Sequence, residues 1–295
     1  MKQFDIADLK RFYIPPPDSH KGQNGKLLLV GGSHLFHAAS LWALKIASRI
    51  VDMVFYSSVP ENNRIVHEAK KEFRDGIVVP RDNLEDYIQE ADCVLLGPGM
   101  IRTDEKLKPS EDYMLKNLSE LNEIEHEGIQ TYYLTKYLLH EYPAKRWVID
   151  GGALQMMEKE WLRDMSQVIL TPHNQEFERL FGFPPTEEQV SAMAKEYSCI
   201  ILRKGEEDIV CSTDHCVVLQ GGNAGMTKGG TGDVLAGLVA ALACKNDLFL
   251  AACAGSYINK KAGEELFKRV GYSFNASDLV EEIPREMSAL IKSSM

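Results

Sequence analysis

The sequence predicts an α/β fold: a three-layer sandwich with a mostly parallel central sheet flanked by helices. Three observations predict it. Near the N-terminus an apolar run, a helical pattern and a second apolar run follow in quick succession, the order of a βαβ unit with parallel strands. Four short apolar runs along the chain each end in glycine, proline or a polar residue, as buried strands do where they enter a turn. A glycine cluster at residues 221–233 leads straight into Val234–Ala243, an apolar segment that fits a buried helix.

Taken in order, residues 1–24 are polar and carry Pro15-Pro16-Pro17, which reads as an extended arm preceding a domain at 25–295. Lys26 to Val30 is the first strand, closed by Gly31-Gly32-Ser33. Ala38 to Val51 has helical spacing, and Met53 to Val59 is the second strand. Ile77 to Val79 and Cys93 to Leu96 follow, the latter ending in Gly97-Pro98-Gly99. Residues 102–128 are highly charged and without a firm apolar period, which reads as a solvated insertion or loop. Thr131 to Tyr142 reads as a helix. Trp147 to Ile149 ends in Asp150-Gly151-Gly152, and Val168 to Leu170 ends in Thr171-Pro172-His173. Cys199 to Arg203, Asp208 to Ser212 and Cys216 to Leu219 read as closely spaced strands, the last two a hairpin around Thr213-Asp214. Helices are expected at Asp233 to Cys244 and Leu248 to Val270, and from Ser277, whose hydroxyl is expected to cap the last one.

The composition is 44% hydrophobic over 295 residues, enough for one large α/β domain or two small ones. A formal charge of −10 argues against nucleic acid as the main partner, because phosphate backbones require a basic face. No apolar run approaches a membrane span, and the opening Met1-Lys2-Gln3-Phe4-Asp5 has no signal-peptide core, so a cytoplasmic protein is expected. The six cysteines sit mostly in apolar contexts and are expected to be reduced. Cys211 and Cys216 have a spacing that some metal sites use, but no second Cys/His pair lies close enough in sequence to complete one.

In an open parallel sheet, ligands bind outside the carboxyl ends of the strands. Four such ends carry turn or polar residues here, and the glycine cluster adds a helix N-terminus. There, backbone N–H groups and the helix dipole favour an anion, and glycines let a phosphate approach the backbone. Asp233 is out of place in a pure anion site. It is either a base acting on a hydroxyl beside the phosphate or a helix-start residue stabilised by the dipole. His173 is a binding residue or a polar turn residue after Pro172. Lys204 is a solvated strand-end charge unless a nucleotide contacts it. Lys228 is left open in the same way.

These motifs together resemble the ribokinase-like superfamily, and within it the ADP- or ATP-dependent NAD(P)H-hydrate dehydratases. The resemblance runs from about Gly25 to the C-terminus. It is carried by Lys26–Ser33, Leu96-Gly97-Pro98-Gly99, Ile169–His173 with Glu176-Phe177, Lys204-Gly205, and Asn223–Met226 leading into Gly229-Gly230-Thr231-Gly232-Asp233. It implies a ribokinase-like fold and a free-standing dehydratase without the epimerase domain to which such domains are often fused. It implies that the nucleotide phosphorylates the hydroxyl of hydrated NADH or NADPH, after which phosphate is eliminated. Asp233 would be the catalytic base, with Ala39, Gly99, His173 and Asp233 touching substrate. Lys204, Gly205, Glu206, Glu207, Asp208, Asn223, Gly230, Thr231 and Gly232 would bind ADP or ATP, with Mg²⁺ on the phosphates. No protein metal ligand is expected, and a homo-oligomer is.

Three departures from the family pattern bear on the site. Gly152 stands where the family often has an aspartate, which leaves open how that edge of the cleft binds. Asp208 stands in place of a threonine and would set a negative charge near the nucleotide unless Lys204, Arg203 or a metal offsets it. Ala224 replaces a proline. Two other functions fit the fold. One is a kinase for a vitamin-precursor alcohol of the hydroxymethylpyrimidine or hydroxyethylthiazole type. The other is a catalytically silent nucleotide-binding protein, against which the intact glycine neighbourhood of Asp233 counts.

Overall fold

The computed structural model describes residues 2–104, 107 and 109–294. Its strands are β1 (Lys2–Gln3), β2 (Lys26–Val30), β3 (Met53–Ser57), β4 (Ile77–Val78), β5 (Cys93–Leu96), β6 (Arg146–Ile149), β7 (Gln167–Leu170), β8 (Ile200–Arg203), β9 (Asp208–Cys211) and β10 (Cys216–Leu219). They pair in one sheet of order β1-β10-β9-β8-β7-β6-β5-β2-β3-β4. Among the described residues, only the β8–β9 and β9–β10 pairings are antiparallel. The helices are α1 (His37–Ala47), α2 (Pro60–Ala69), α3 (Leu84–Glu90), α4 (Glu127–Glu141), α5 (Gly151–Met156), α6 (Asn174–Phe181), α7 (Glu187–Glu196), α8 (Thr231–Ala243), α9 (Leu248–Val270) and α10 (Ala276–Ser294).

Alternation along β2 shows why three layers form. Leu27 and Leu29 join a core with Leu44 of α1, Val239 of α8, Ala252 of α9 and Leu279 of α10. Leu28 and Val30 join the opposite core with Ile88 of α3, Leu134 of α4, Phe177 of α6 and Val190 of α7. Successive side chains of a strand point to opposite faces, so a strand apolar at every position needs cover on both. Helix α8 lies in the middle of its layer, and every residue from Val234 to Ala243 is buried.

Several local expectations change. The first residues include a two-residue strand parallel to β10 and a 3₁₀ turn at Ile6–Arg11, which Asp5 caps through Ala7 N–H at 2.9 Å. Residues 105, 106 and 108 of the charged 102–128 stretch lie outside the described residues. The rest is less solvated than its composition suggests, because Leu115, Leu118 and Leu121 are buried in the core under α4. Their spacing of three matches the 3₁₀ turn at Leu118–Glu123 and not an α-helix. Asn275, not Ser277, caps α10, accepting from Ser277 N–H at 2.8 Å. The Ser277 hydroxyl instead accepts from Trp42 Nε1 at 3.1 Å.

The cysteine expectation is corrected at one pair. Cys211 and Cys216 are directly opposite each other in the β9–β10 hairpin and form a disulfide. The hairpin turn itself brings them together, since opposed residues on an antiparallel pair are neighbours. Cys93, Cys199, Cys244 and Cys253 are free and buried. The bond closes a loop of sequence separation 5, so chain-entropy arguments assign it about 2 kcal/mol. A Cys211→Ser/Cys216→Ser variant is therefore expected to melt about 4 °C lower in calorimetry under oxidising conditions. Under reducing conditions the two proteins should coincide.

Candidate active site

The parallel strands bring their carboxyl ends to one edge, and the sequence order reverses between β2 and β5. From that point β3 and β4 extend one way and β6 to β8 the other. Such a switch point leaves a crevice. At its centre Gly32 N–H donates to the Pro98 carbonyl at 2.7 Å. A Cβ built on Gly99 would lie 2.9 Å from Ala39 Cβ and 3.2 Å from Gly32 Cα. Ala39 and Gly99, far apart in sequence, are thus in contact at the switch point. Beneath them runs a buried polar network. Tyr56 Oη and Ser40 Oγ are 2.7 Å apart, and Asn62 Nδ2 donates to Tyr56 Oη at 2.6 Å and to Ser58 Oγ at 2.9 Å.

The next two strand ends interlock through glycines. Gly152 N–H donates to the Gly97 carbonyl at 3.1 Å. A Cβ on Gly97 would lie 1.8 Å from the Asp150 carbonyl, and one on Gly152 2.1 Å from the Met100 carbonyl. The position where the family often carries an aspartate therefore has no room here even for a methyl group.

Asp150, at the end of β6, is buried and accepts from Thr171 Oγ1 and from Lys204 Nζ, each at 2.7 Å. Lys204 follows β8, where its backbone N–H donates to the Pro172 carbonyl at 2.8 Å and its residue bridges to His173. Its ammonium also lies 3.8 Å from Glu176 Oε2. Burial alone would depress the Lys204 pKa, but Asp150 and Glu176 outweigh it and the net shift is upward. Lys204 is a paired, fixed cation rather than a solvated strand end.

His173 takes up part of the turn role that its sequence position allowed. Its Nδ1 accepts from Glu176 N–H at 3.2 Å while Glu176 Oε2 accepts from His173 N–H at 2.9 Å, a capping box that starts α6. Because Nδ1 accepts, the neutral ring carries its proton on Nε2. The side chain remains about half exposed and lines the cleft described below.

The glycine stretch turns into α8 at Gly230, whose φ of 93° is left-handed and whose missing side chain makes room for the Trp42 ring. Thr231 is committed to this turn. Its N–H donates to the Lys228 carbonyl at 3.3 Å, and its hydroxyl to the Met226 carbonyl at 2.6 Å. The Gly232 amide is then left to face a ligand at this helix start, while the Asp233 amide is engaged by its own carboxyl. Lys228 Nζ donates to the carbonyls of Tyr272 and Phe274, tying the stretch to the α9–α10 turn. Asn223 is also engaged at both ends of its amide, accepting from Gly225 N–H at 2.9 Å and donating to the Gly263 carbonyl at 2.8 Å.

Asp233 sits in the first turn of α8, within electrostatic reach of Asp150, Lys204 and Glu176. Burial and the Asp150 charge push its carboxyl up to about 7, against partial relief from Lys204, with Glu176 adding to the rise. Two carboxylates and one ammonium thus surround a third carboxyl that is half-protonated near neutrality. Lys204 Nζ is also 3.7 Å from where a Cβ on Gly232 would stand, placing the cation beside the helix start.

From this point a cavity of about 920 Å³ opens between α8, α9 and the β8–β9 turn. Its lining includes His173, all of Lys204 to Asp208, Asn223, Thr231 and Gly232, gathered from four separate parts of the chain. Gly230 belongs instead to the packing against Trp42, and Ala39 and Gly99 to the switch point. Asn259, which sequence reasoning did not single out, also lines the cavity, with its Oδ1 buried and unpartnered among the described residues. Asp150 and Glu176 were legible only as parts of turn motifs. Lys260 gave no signal within any motif.

The NAD(P)H-hydrate dehydratase family model matches residues 27–285. The ADP-dependent (S)-NAD(P)H-hydrate dehydratase of Nitrosopumilus maritimus is 34% identical, with 99% of this chain and 98% of that protein covered. The bifunctional NAD(P)H-hydrate repair enzyme of Methanocaldococcus jannaschii is 35% identical over 94% of this chain, which spans about half the length of that relative. Among solved structures, a ribokinase-like superfamily protein of Enterococcus faecalis superposes with a TM-score of 0.79 at 21% identity, covering 98% and 96% of the two chains. The ADP/ATP-dependent NAD(P)H-hydrate dehydratase of Bacillus subtilis, co-crystallised with ATP/Mg²⁺, gives 0.75 at 20% identity, with 98% of each chain covered. The structural likenesses establish a ribokinase-like fold. With the family match across most of its length, the chain belongs to the NAD(P)H-hydrate dehydratase family.

Proposed function

We propose that this protein uses ADP or ATP to dehydrate hydrated NADH and NADPH, with residues 25–295 as the catalytic unit and 1–24 as an arm. The observation that carries the proposal is the position of Asp233. It is a carboxyl in the first turn of a buried helix, next to Gly232 at the helix-start end of the cavity of about 920 Å³. The nucleotide's polyphosphate ends at the amide of Gly232, where the helix dipole favours the charge that builds during phosphoryl transfer. The hydrated nicotinamide lies toward Ala39 and Gly99, with His173 at the border. Asp233 takes the proton of the ring hydroxyl as its oxygen attacks the terminal phosphorus, and the bridging P–O bond breaks to release AMP from ADP or ADP from ATP. The phosphorylated hydroxyl then leaves as inorganic phosphate with the C–O bonding pair, pushed by the ring nitrogen lone pair. Loss of a neighbouring ring proton restores the dihydronicotinamide.

Mg²⁺ enters this scheme as part of the nucleotide chelate. Mg²⁺ is commonly held by phosphates, waters and one or two carboxylates. No group of three or more His, Cys, Asp or Glu side chains among the described residues is placed to hold a metal. No helix of the described residues is long and apolar enough to cross a membrane. The proposed compartment is the cytoplasm. A homo-oligomer is the proposed assembly, to be checked by light scattering.

The test is recovery of dihydronicotinamide absorbance from hydrated NADH with Mg²⁺ and either nucleotide. No recovery with ADP or with ATP would remove the proposal. Accumulation of a stable phosphorylated alcohol would move it to a small-molecule kinase.

A pH prediction follows from the charge arrangement. A general base works when ionised, so kcat/KM is expected to rise with pH through about 7. Asp150→Asn removes a like charge and should move that limb to lower pH. Lys204→Met removes the offsetting cation and should move it to higher pH. Limbs that stay in place in both variants would show that another group titrates.

A further inference from the structure

We infer that Lys260 is a positioning residue for the nucleotide, holding the two walls of the cavity at a fixed separation from behind. The inference rests on the nucleotide-binding reading of that cavity. Lys260 is in the middle of α9 and is buried, and it is far in sequence from every glycine motif. Its ammonium donates to the Glu206 carbonyl at 2.9 Å and the Gly205 carbonyl at 3.3 Å, on the wall formed by the β8–β9 turn. It also donates to the Gly221 carbonyl at 3.4 Å, on the facing wall that follows β10. One charged group thus bridges the two loops just beyond the last β9–β10 pair, Asp208 with Leu219, where Gln220 Nε2 also donates to Glu207 Oε1 at 2.6 Å.

Asp208 completes the device. Its carboxylate lies 3.4 Å from Lys260 Nζ, accepts from Ser256 Oγ at 2.7 Å, and accepts from Gly205 N–H at 2.9 Å. Ser256, Lys260 and Glu264 are four residues apart and share one face of α9. Glu264 Oε1 accepts from Gly222 N–H at 3.3 Å, so the same stripe grips the second wall again. The compensation expected for the Asp208 charge therefore comes from Lys260 in direct contact, with Arg203 also within electrostatic reach. Lys204 is held by Asp150 and Glu176 on the other side of the turn. With its carboxylate buried against Ser256 and Lys260, Asp208 shapes the turn from below.

Removing only the ammonium would leave the buried Asp208 carboxylate without its direct cationic partner, Arg203 remaining within electrostatic reach, and would remove three hydrogen bonds to the two walls. Leaving one charge of a buried pair is costly, whereas replacing both by neutral groups is far less so. In Lys260→Met, the Kd for ADP or ATP by calorimetry and the nucleotide KM are expected to rise about thirtyfold, with kcat within about twofold. In Lys260→Met/Asp208→Asn, at least half of that loss on a logarithmic scale should be recovered. The double variant keeps the test decisive if the single one folds poorly. A Kd and KM unchanged in the folded single variant, or a double variant no better than the single one, would overturn the inference. A wild-type protein that binds neither nucleotide would remove it together with the proposed function. A wild type that binds while Lys260→Met binds equally well would overturn the inference alone.

Discussion

Asp233→Asn is expected to lower turnover of hydrated NADH by about a thousandfold while leaving the nucleotide Kd within about twofold. The amide keeps the shape of the carboxyl but cannot take a proton from the attacking hydroxyl. A positioned general base contributes about 10² to 10⁴ in rate. Binding should survive, since the substitution removes a negative charge from beside the polyphosphate. Stability supplies an independent readout with a definite sign. The Asp233 carboxyl has its pKa raised in the fold from 3.8 to about 7. The unfolded chain therefore releases this proton at lower pH than the folded one, and the ionised form destabilises the fold increasingly up to about pH 7. Asp233→Asn should accordingly melt higher than wild type at pH 8, and the two should converge near pH 4 and below. Turnover within tenfold of wild type would remove Asp233 as the base. A melting difference independent of pH would show that its carboxyl is not strained by burial and the Asp150 charge.

The layer architecture was legible because its signals are local and repeated. Lys26–Val30, Cys93–Leu96 and Trp147–Ile149 are apolar at nearly every position and stop at turn residues, a pattern that fits strands covered on both faces. The gathering of Lys204 to Asp208, Asn223, Thr231 and Gly232 around one cavity could be expected from motif order alone, since parallel strands must end on one edge. Side-chain partnerships were not legible in the same way. Lys260 is a lysine on a long helix, and nothing in its neighbours marks it as buried. Its role exists only because β9 reverses direction and lays Asp208 against α9. The Cys211–Cys216 bond was missed for a related reason. Its spacing is compatible with a reduced pair, a metal site or a hairpin crosslink, and only strand register selects the last. Ser277 and Asn275 are both good caps by type, and choosing between them required the backbone of one residue.

Gly152→Asp, the substitution that restores the family's frequent aspartate, is expected to destabilise this protein by about 4 kcal/mol or more and to abolish dehydration activity. The cause is steric. A Cβ at this position meets the Met100 carbonyl oxygen at 2.1 Å and its carbon at 2.5 Å, both backbone atoms that cannot rotate aside. Relief requires the turn after β5 to move away from the turn after β6. That motion would break the Gly152 N–H to Gly97 carbonyl bond and disturb Asp150, the partner of Lys204. Gly152→Ala separates sterics from charge, since it adds only the offending carbon. Guanidinium denaturation should show the alanine variant losing most of what the aspartate variant loses. Alanine tolerated within about 1 kcal/mol, with aspartate still disruptive, would mean that the added charge beside Asp150 is at fault. Both tolerated would mean that the two turns are not interlocked as described, and the missing carboxylate would then be a functional substitution instead of a geometric necessity.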